Sequence, residues 1–374
     1  MAMPPANPPA HLETPSGKKR ARALGIPFDG TPGALNSITD VEGVAVGYST
    51  LIRGEGPLVV GAGPVRTGVT AILPQPHERA SRPVFAGCAV LNGAGEMTGM
   101  AWIVEAGRLS GPVTITNTHS CGVARDATIK WLVRNARPPV PPWWLPAAAE
   151  TFDGYLNDVN GFHVREEHVI GAIDSAVGGR TEEGSVGGGT GMIAYEFKGG
   201  SGTSSRVVSV AGRRQTVGVF VQANFGRRPQ LTIAGVPVGR HLSAGAFRTS
   251  DEGSIIAVVA TDAPLLPHQL TRLARRAGLG VGRSGSTSGN GSGDIFLAFS
   301  TANLDAAAAT ADVRRAEFLP EEAIDPLFSA VVRATDEAIV DAMVTSPTMT
   351  GRDGHTVVGI PHDELRDVMR RYGR

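Results

Sequence analysis

The chain has 374 residues, with 35 basic and 35 acidic side chains, a pI near 7.1 and 41% hydrophobic residues. That balance gives no basic field for nucleic acid beyond the run Lys18-Lys19-Arg20-Ala21-Arg22. No apolar run approaches the roughly 20 residues of a membrane span, and the N-terminus carries no apolar signal-peptide core.

Residues 1–24, opened by Pro4, Pro5, Pro8 and Pro9 and closed by the basic run, read as a flexible tail with a solvated arm. Residues 25–374 read as a single catalytic domain. The full chain's 49 Gly and 26 Pro make up about 20% of its residues, against roughly 12% in average usage, and so mark turns in a folded protein. Strands are expected at 44–48, 68–73, 84–91, 113–117, 191–197, 206–210, 217–224, 255–261 and 294–300. In 217–224, Val217, Val219, Val221 and Ala223 alternate with Gly218, Phe220, Gln222 and Asn224, as in a strand with two distinct faces. In contrast, 255–260 is continuously apolar, as in a strand covered on both sides.

The spacing predicts helices after Ser120 through Arg134, over 267–277 with Gly278 as the stop, over 326–344 with Asp325 as N-cap, and over 363–372. The proline-rich stretch 137–146 must be an extended connector, with Trp143 and Trp144 as core plugs or a pocket wall. Many strands with a few long helices point to an α/β layered sandwich.

Familiar catalytic signatures are missing. No P-loop, G-x-S-x-G elbow or H-E-x-x-H occurs, and His163 and His168 are about 500° apart around a helix, so no metal is expected. Gly280 to Gly285 fits G-x-G-x-x-G by letter but follows a helix end, the wrong context for a dinucleotide. Cys88 and Cys121 cannot build a disulfide framework; small buried residues in a reducing, cytoplasmic setting are expected.

Two stretches carry possible chemistry. The run 283–294 is dense in Gly and Ser, including Ser292 and Asp294, and leads directly into a strand. A linker or plain turn is also Gly/Ser-rich, but a linker does not normally abut a buried strand. The second is Asp251-Glu252-Gly253-Ser254, at the mouth of the apolar strand. A cut between Gly253 and Ser254 would give Ser254 a free α-amine beside its own hydroxyl. Such an amine has a pKa near about 7.7–8.0, close enough to neutrality to act as base for that hydroxyl.

With these residues assembled, the chain resembles the L-aminopeptidase/D-esterase and β-peptidyl aminopeptidase family of self-processing N-terminal serine hydrolases. The similarity runs from Gly25 to Tyr372 through 36–44, 63–70, 91–99, 116–120, 150–158, 187–192 and 221–226, together with both stretches above. It implies an α-β-β-α sandwich similar to N-terminal-nucleophile hydrolases with different connectivity. It also implies autocleavage into chains 1–253 and 254–374, which assemble as a homotetramer of processed pairs. By the same resemblance Ser254 is the nucleophile, Asn224 an oxyanion donor, and Ser292 with Asp294 the proton-relaying pair. Asp294 stands where the β-peptidyl branch carries Glu, which puts the chain nearer the L-aminopeptidase branch. An aromatic hydroxyl used by the family falls on Tyr155, unless Phe152 has replaced it. Glu150 either holds the substrate amine or is structural. Expected substrates are short peptides, amino-acid amides or esters, with no cofactor, nucleic acid or membrane. The alternative is an uncleaved, non-catalytic peptide-binding member.

Overall fold

The structure, a computed structural model, describes residues 9–137, 141–248, 250, 253–308 and 312–374. Strands β1 (Ala45–Arg53), β2 (Val65–Leu73) and β3 (Val84–Gly93) precede α1 (Met100–Ala106), β4 (Arg108–Leu109) and β5 (Val113–Asn117). Next come α2 (Cys121–Asn135), β6 (Ala148–Thr151), α3 (Glu166–Asp174) and the short strands β7 (Ile193–Ala194) and β8 (Phe197–Lys198). They are followed by β9 (Gly200–Val210), β10 (Arg213–Asn224), β11 (Ser254–Thr261), α4 (Pro267–Arg283) and β12 (Gly293–Ser300). Helices α5 (Leu304–Ala307), α6 (Asp325–Val344) and α7 (His362–Arg371) close the chain.

Two sheets face each other, one ordered β1-β2-β5-β6 and the other β4-β3-β12-β11-β10-β9. Val46, Ile72 and Ile115 from the first meet Phe220, Ile256, Val258 and Leu297 from the second in the core between them. On the outer side of the first sheet, Trp131 and Leu132 of α2 and Ile173 of α3 pack over Val69 and Ala71. Outside the second, Leu270 and Leu273 of α4 and Ile339 of α6 pack over Val219, Val221 and Ile255. The layers are therefore helix, sheet, sheet, helix, as the resemblance implies. The alternation along β10 divides as expected, odd positions toward the helices and Phe220 toward the other sheet.

Glycine lets the helices lie close. A Cβ at Gly87 of β3 would stand 2.4 Å from the Thr271 amide nitrogen of α4, and one at Gly202 of β9 would stand 2.0 Å from the Ala338 carbonyl oxygen of α6. The same effect overturns the stop expected at Gly278. Helix α4 continues to Arg283, because Gly280 fits where a Cβ would come 2.5 Å from Thr335 Cβ of α6. The G-x-G-x-x-G letters at 280–285 therefore begin inside that helix. Asp325 opens α6, but Ile324 holds the cap position and no side chain caps it. The strand expected over 191–197 is broken instead: residues 187–191 form a 3-10 turn, and Tyr195 and Glu196 turn the chain between β7 and β8 at φ of 51° and 62°. Helices α1, α3 and α5 and strands β4 and β6 lie outside the elements expected from the sequence. Of the 137–146 connector, residues 138–140 lie outside the described residues; Trp144 is buried against α2, whereas Trp143 is half exposed and edge-on to Trp102.

The largest correction concerns the N-terminal arm. Residues 1–8 lie outside the described residues, but the basic run is not a solvated arm: Lys19 is exposed, whereas Arg20 is buried and Arg22 half-buried. Arg20 is 2% exposed and pairs with Glu183 at 2.7 Å and with Asp341 of α6 at 2.9 Å. Arg22 and Arg206 of β9 both reach Glu337 of α6, each at 2.6 Å. Burial pushes the Asp341 and Glu183 carboxyls above their ordinary range, against the pull of Arg20. Arg20→Met should cost about 3–5 kcal/mol, the range for breaking a buried pair by removing one partner. Both carboxyls titrate higher folded than unfolded, so they favour the folded state at low pH and lose that contribution as pH rises through their folded values. The penalty of Arg20→Met should thus grow between pH 5 and 8 in urea titrations. A loss under about 1 kcal/mol would mean that the arm is not held by this network.

Candidate active site

Three neighbouring strand ends bring the expected residues together. Ser254 opens β11; the antiparallel register sets Asn224, the last residue of β10, opposite it, and the parallel register sets Gly293, the first of β12, on its other side. The Ser254 hydroxyl accepts from the Gly293 N–H at 3.1 Å. Ser292 and Asp294 straddle Gly293, with the Ser292 hydroxyl donating to Asp294 Oδ1 at 2.6 Å. All four side chains are buried. The Asn224 amide is oriented from both ends: Oδ1 accepts from the Ile193 N–H at 2.8 Å, and Nδ2 donates to the Phe152 carbonyl at 2.8 Å.

Ser254 and Gly253 line a cavity of about 410 Å³ together with Glu150, Glu96, Thr118 and Phe152. A larger hollow of about 1560 Å³, beside Trp102, Trp143 and Arg108, contains none of the four expected catalytic residues. Glu150, on β6, is 3% exposed. Its Oε1 accepts from the Glu96 N–H at 2.9 Å and its Oε2 from the Thr118 hydroxyl. Burial raises its carboxyl above the ordinary range, although those two bonds pull it back.

Gly253 is required by space: a Cβ there would stand 1.8 Å from the Asn224 carbonyl oxygen. Asp251 and Glu252, just before it, lie outside the described residues. Tyr155 does not line the cavity. Its ring is stacked between Phe247, at 4.6 Å, and His355, at 4.5 Å, while Phe152 occupies the cavity wall. His163 hydrogen-bonds Asp158 and Arg53, each at 2.8 Å. Both cysteines are buried, and burial pushes their thiols up to about 11 for Cys88 and about 12 for Cys121, so neither is a ready thiolate. Glu96 and Thr118 were not singled out from the sequence, although both fall in stretches that carried the resemblance, 91–99 and 116–120.

The profile of peptidase family S58 matches residues 36–357. The chain belongs to peptidase family S58. This S58 peptidase is 51% identical over 370 residues to the beta-peptidyl aminopeptidase BapA of Sphingosinicella microcystinivorans, a match covering 95% of this chain and 93% of that one. Among solved structures it resembles the L-aminopeptidase D-Ala-esterase/amidase of Ochrobactrum anthropi, with a TM-score of 0.88 and 48% identity over 95% of this chain and 99% of that one. That structure is described as a new variant among the Ntn hydrolase fold. A Burkholderia sp. beta-aminopeptidase aligns with a TM-score of 0.86 and 45% identity, over the same shares of the two chains. The S58 peptidase is a hydrolase of peptide bonds, with the activity of an aminopeptidase.

Proposed function

We propose that the S58 peptidase cuts itself between Gly253 and Ser254 and then uses Ser254 to release N-terminal residues from short peptides, amino-acid amides or esters. The observation that carries this reading is the convergence of Ser254, Asn224 and the Ser292–Asp294 pair at one end of β10, β11 and β12, beside a cavity holding a buried carboxylate.

In the precursor, the Ser254 hydroxyl attacks the Gly253 carbonyl and the peptide C–N bond breaks. The acyl group passes from nitrogen to oxygen, and water hydrolyses the resulting ester to free the Ser254 amine. In the mature enzyme the same oxygen attacks the carbonyl of a substrate's first residue. The Ser254 amine takes the hydroxyl proton, the leaving amine departs with a proton, and water resolves the acyl-enzyme. Ser292 and Asp294, beside Gly293, relay protons to that amine. Asn224 has a second amide N–H for the oxyanion, and one such donor is typically worth about 2.7–4 kcal/mol. No step calls for a metal or an organic cofactor.

Glu150 is the counter-charge for the substrate's ammonium group. Glu150→Gln should raise KM for an aminoacyl p-nitroanilide by about tenfold or more, since a hydrogen bond to a charged group is worth about 1.5–3 kcal/mol. The value of kcat should change less. An unchanged KM would make Glu150 a purely structural carboxylate.

Denaturing electrophoresis with N-terminal sequencing tests the whole reading. Two fragments are expected, the second beginning Ser-Ile-Ile-Ala. One intact band without turnover would favour a peptide-binding protein instead. The two buried, unpaired cysteines suit a cytoplasmic setting. Native mass measurement tests the expected homotetramer of processed pairs.

A further inference from the structure

Lys198 of β8 takes no part in the mechanism above, yet its side chain is completely buried. Of the chain's 35 basic residues, 31 are Arg and only four are Lys, so a lysine at an interior position is unusual for this sequence. Its ammonium donates to three backbone carbonyls, those of Gly199 at 2.8 Å, Met192 at 2.9 Å and Gly189 at 3.4 Å. Three N–H bonds meet three acceptors, a tripod that suits a compact ammonium and that the planar fork of an arginine would not fit. The three partners are neutral, and burial lowers the group to about 7. A buried cation held only by carbonyl dipoles is costly, and such groups cluster at functional sites.

The Met192 carbonyl belongs to the same peptide group as the Ile193 N–H, and that N–H donates to Asn224 Oδ1 at 2.8 Å. One peptide plane therefore lies between the ammonium and the catalytic amide. A cation at the carbonyl draws electron density along the plane and makes its N–H a stronger donor. The bond to Oδ1 polarises the Asn224 amide in turn, and hydrogen-bonded chains of this kind strengthen one another by about 10–30% per bond. The same link fixes which way the amide points: Oδ1 is held by Ile193, so both Nδ2 protons face away from it, one of them to the Phe152 carbonyl.

We infer that Lys198 is a positioning residue for Asn224, orienting its amide and strengthening its N–H as the oxyanion donor through the Met192–Ile193 peptide. The inference rests on Asn224 being that donor. A plain structural staple would use the same three carbonyls, so the test must read the oxyanion itself. The probe is an amino-acid aldehyde, to whose carbonyl the Ser254 hydroxyl adds to give a tetrahedral hemiacetal. It is compared with the p-nitroanilide of the same amino acid.

In mature Lys198→Met, kcat should fall about tenfold and the aldehyde's Ki should rise about tenfold, with KM within about twofold of wild type. These are fractions of the 10²- to 10³-fold that a whole donor supplies. A kcat and Ki within twofold of wild type would overturn the inference. A rise of KM and Ki by one common factor would overturn it too, since that marks a loosened pocket. Should the methionine variant fail to fold, Lys198→Gln, which keeps one donating N–H, is read by the same ratio and should move it in the same direction by a smaller factor. Asn224→Ala separates the two layers. If it leaves Ki unchanged, the donor assignment falls and the role of Lys198 falls with it. If Asn224→Ala raises Ki and the Lys198 variants do not, only the Lys198 inference is lost.

Discussion

Ser254→Ala should run as a single band of 374 residues and should hydrolyse no aminoacyl p-nitroanilide above background. The substitution removes the proposed attacking oxygen of both reactions at once, while the backbone of β11 keeps its register with Asn224 and Gly293. Loss of a catalytic serine costs on the order of a million-fold in kcat where it has been dissected in a hydrolase. Folding should survive, because among the described residues the hydroxyl's hydrogen-bond partner is one backbone N–H, that of Gly293. A melting temperature within a few degrees of wild type would confirm that the loss is chemical. Two fragments together with residual turnover would transfer the nucleophile's role to another residue.

Gly253→Ala is expected to leave the chain uncut, or nearly so, without touching the proposed nucleophile Ser254. The added methyl would lie 1.8 Å from the Asn224 carbonyl oxygen, a backbone atom, so relief must come from displacing the start of β11. Overpacking of this kind costs about 1–3 kcal/mol in stability. The kinetic penalty is larger, since a misplacement of about 1 Å between reacting groups can slow a reaction about a hundredfold. A time course of fragment appearance on a gel measures it directly. Cleavage at the wild-type rate would mean that the strand end tolerates the shift and that glycine is not needed for the cut.

The strands that carry the candidate site were legible because their signals are local. The two-faced alternation of β10 and the unbroken apolar run of β11 each fit within about eight residues, and the Gly/Ser run leads into β12 with Asp294 at its second position. The arm was not legible for the opposite reason. Arg20 of its basic run is buried against Glu183 and Asp341, more than 160 and 320 positions away, and nothing near Arg20 announces them. The glycines of α4 misled similarly: Gly278 looks like a helix stop until α6 is known to press against the next turn at Gly280. Tyr155 and Phe152 are three residues apart after β6, and only the course of the chain there decides which one faces the cavity. Lys198 stood just past the end of the stretch expected to be one strand, 191–197, and a single basic residue there gave no cue that its ammonium is turned inward.

The order of the larger sheet has a consequence for how the protein can be made. In β4-β3-β12-β11-β10-β9, the two central strands come from residues after 253, and the strands on both sides come from residues before it. The arm adds a clasp across the same divide, with Arg20 and Arg22 gripping Asp341 and Glu337. An intact chain threads β11 and β12 into that gap as a unimolecular event. A chain already cut would have to find its other half in solution, making renaturation second order and dependent on protein concentration. An enzyme cut at Gly253–Ser254, as proposed, would be the record of an assembly that denaturation can undo but dilute refolding cannot readily repeat, so its working lifetime would be governed by how slowly it first comes apart.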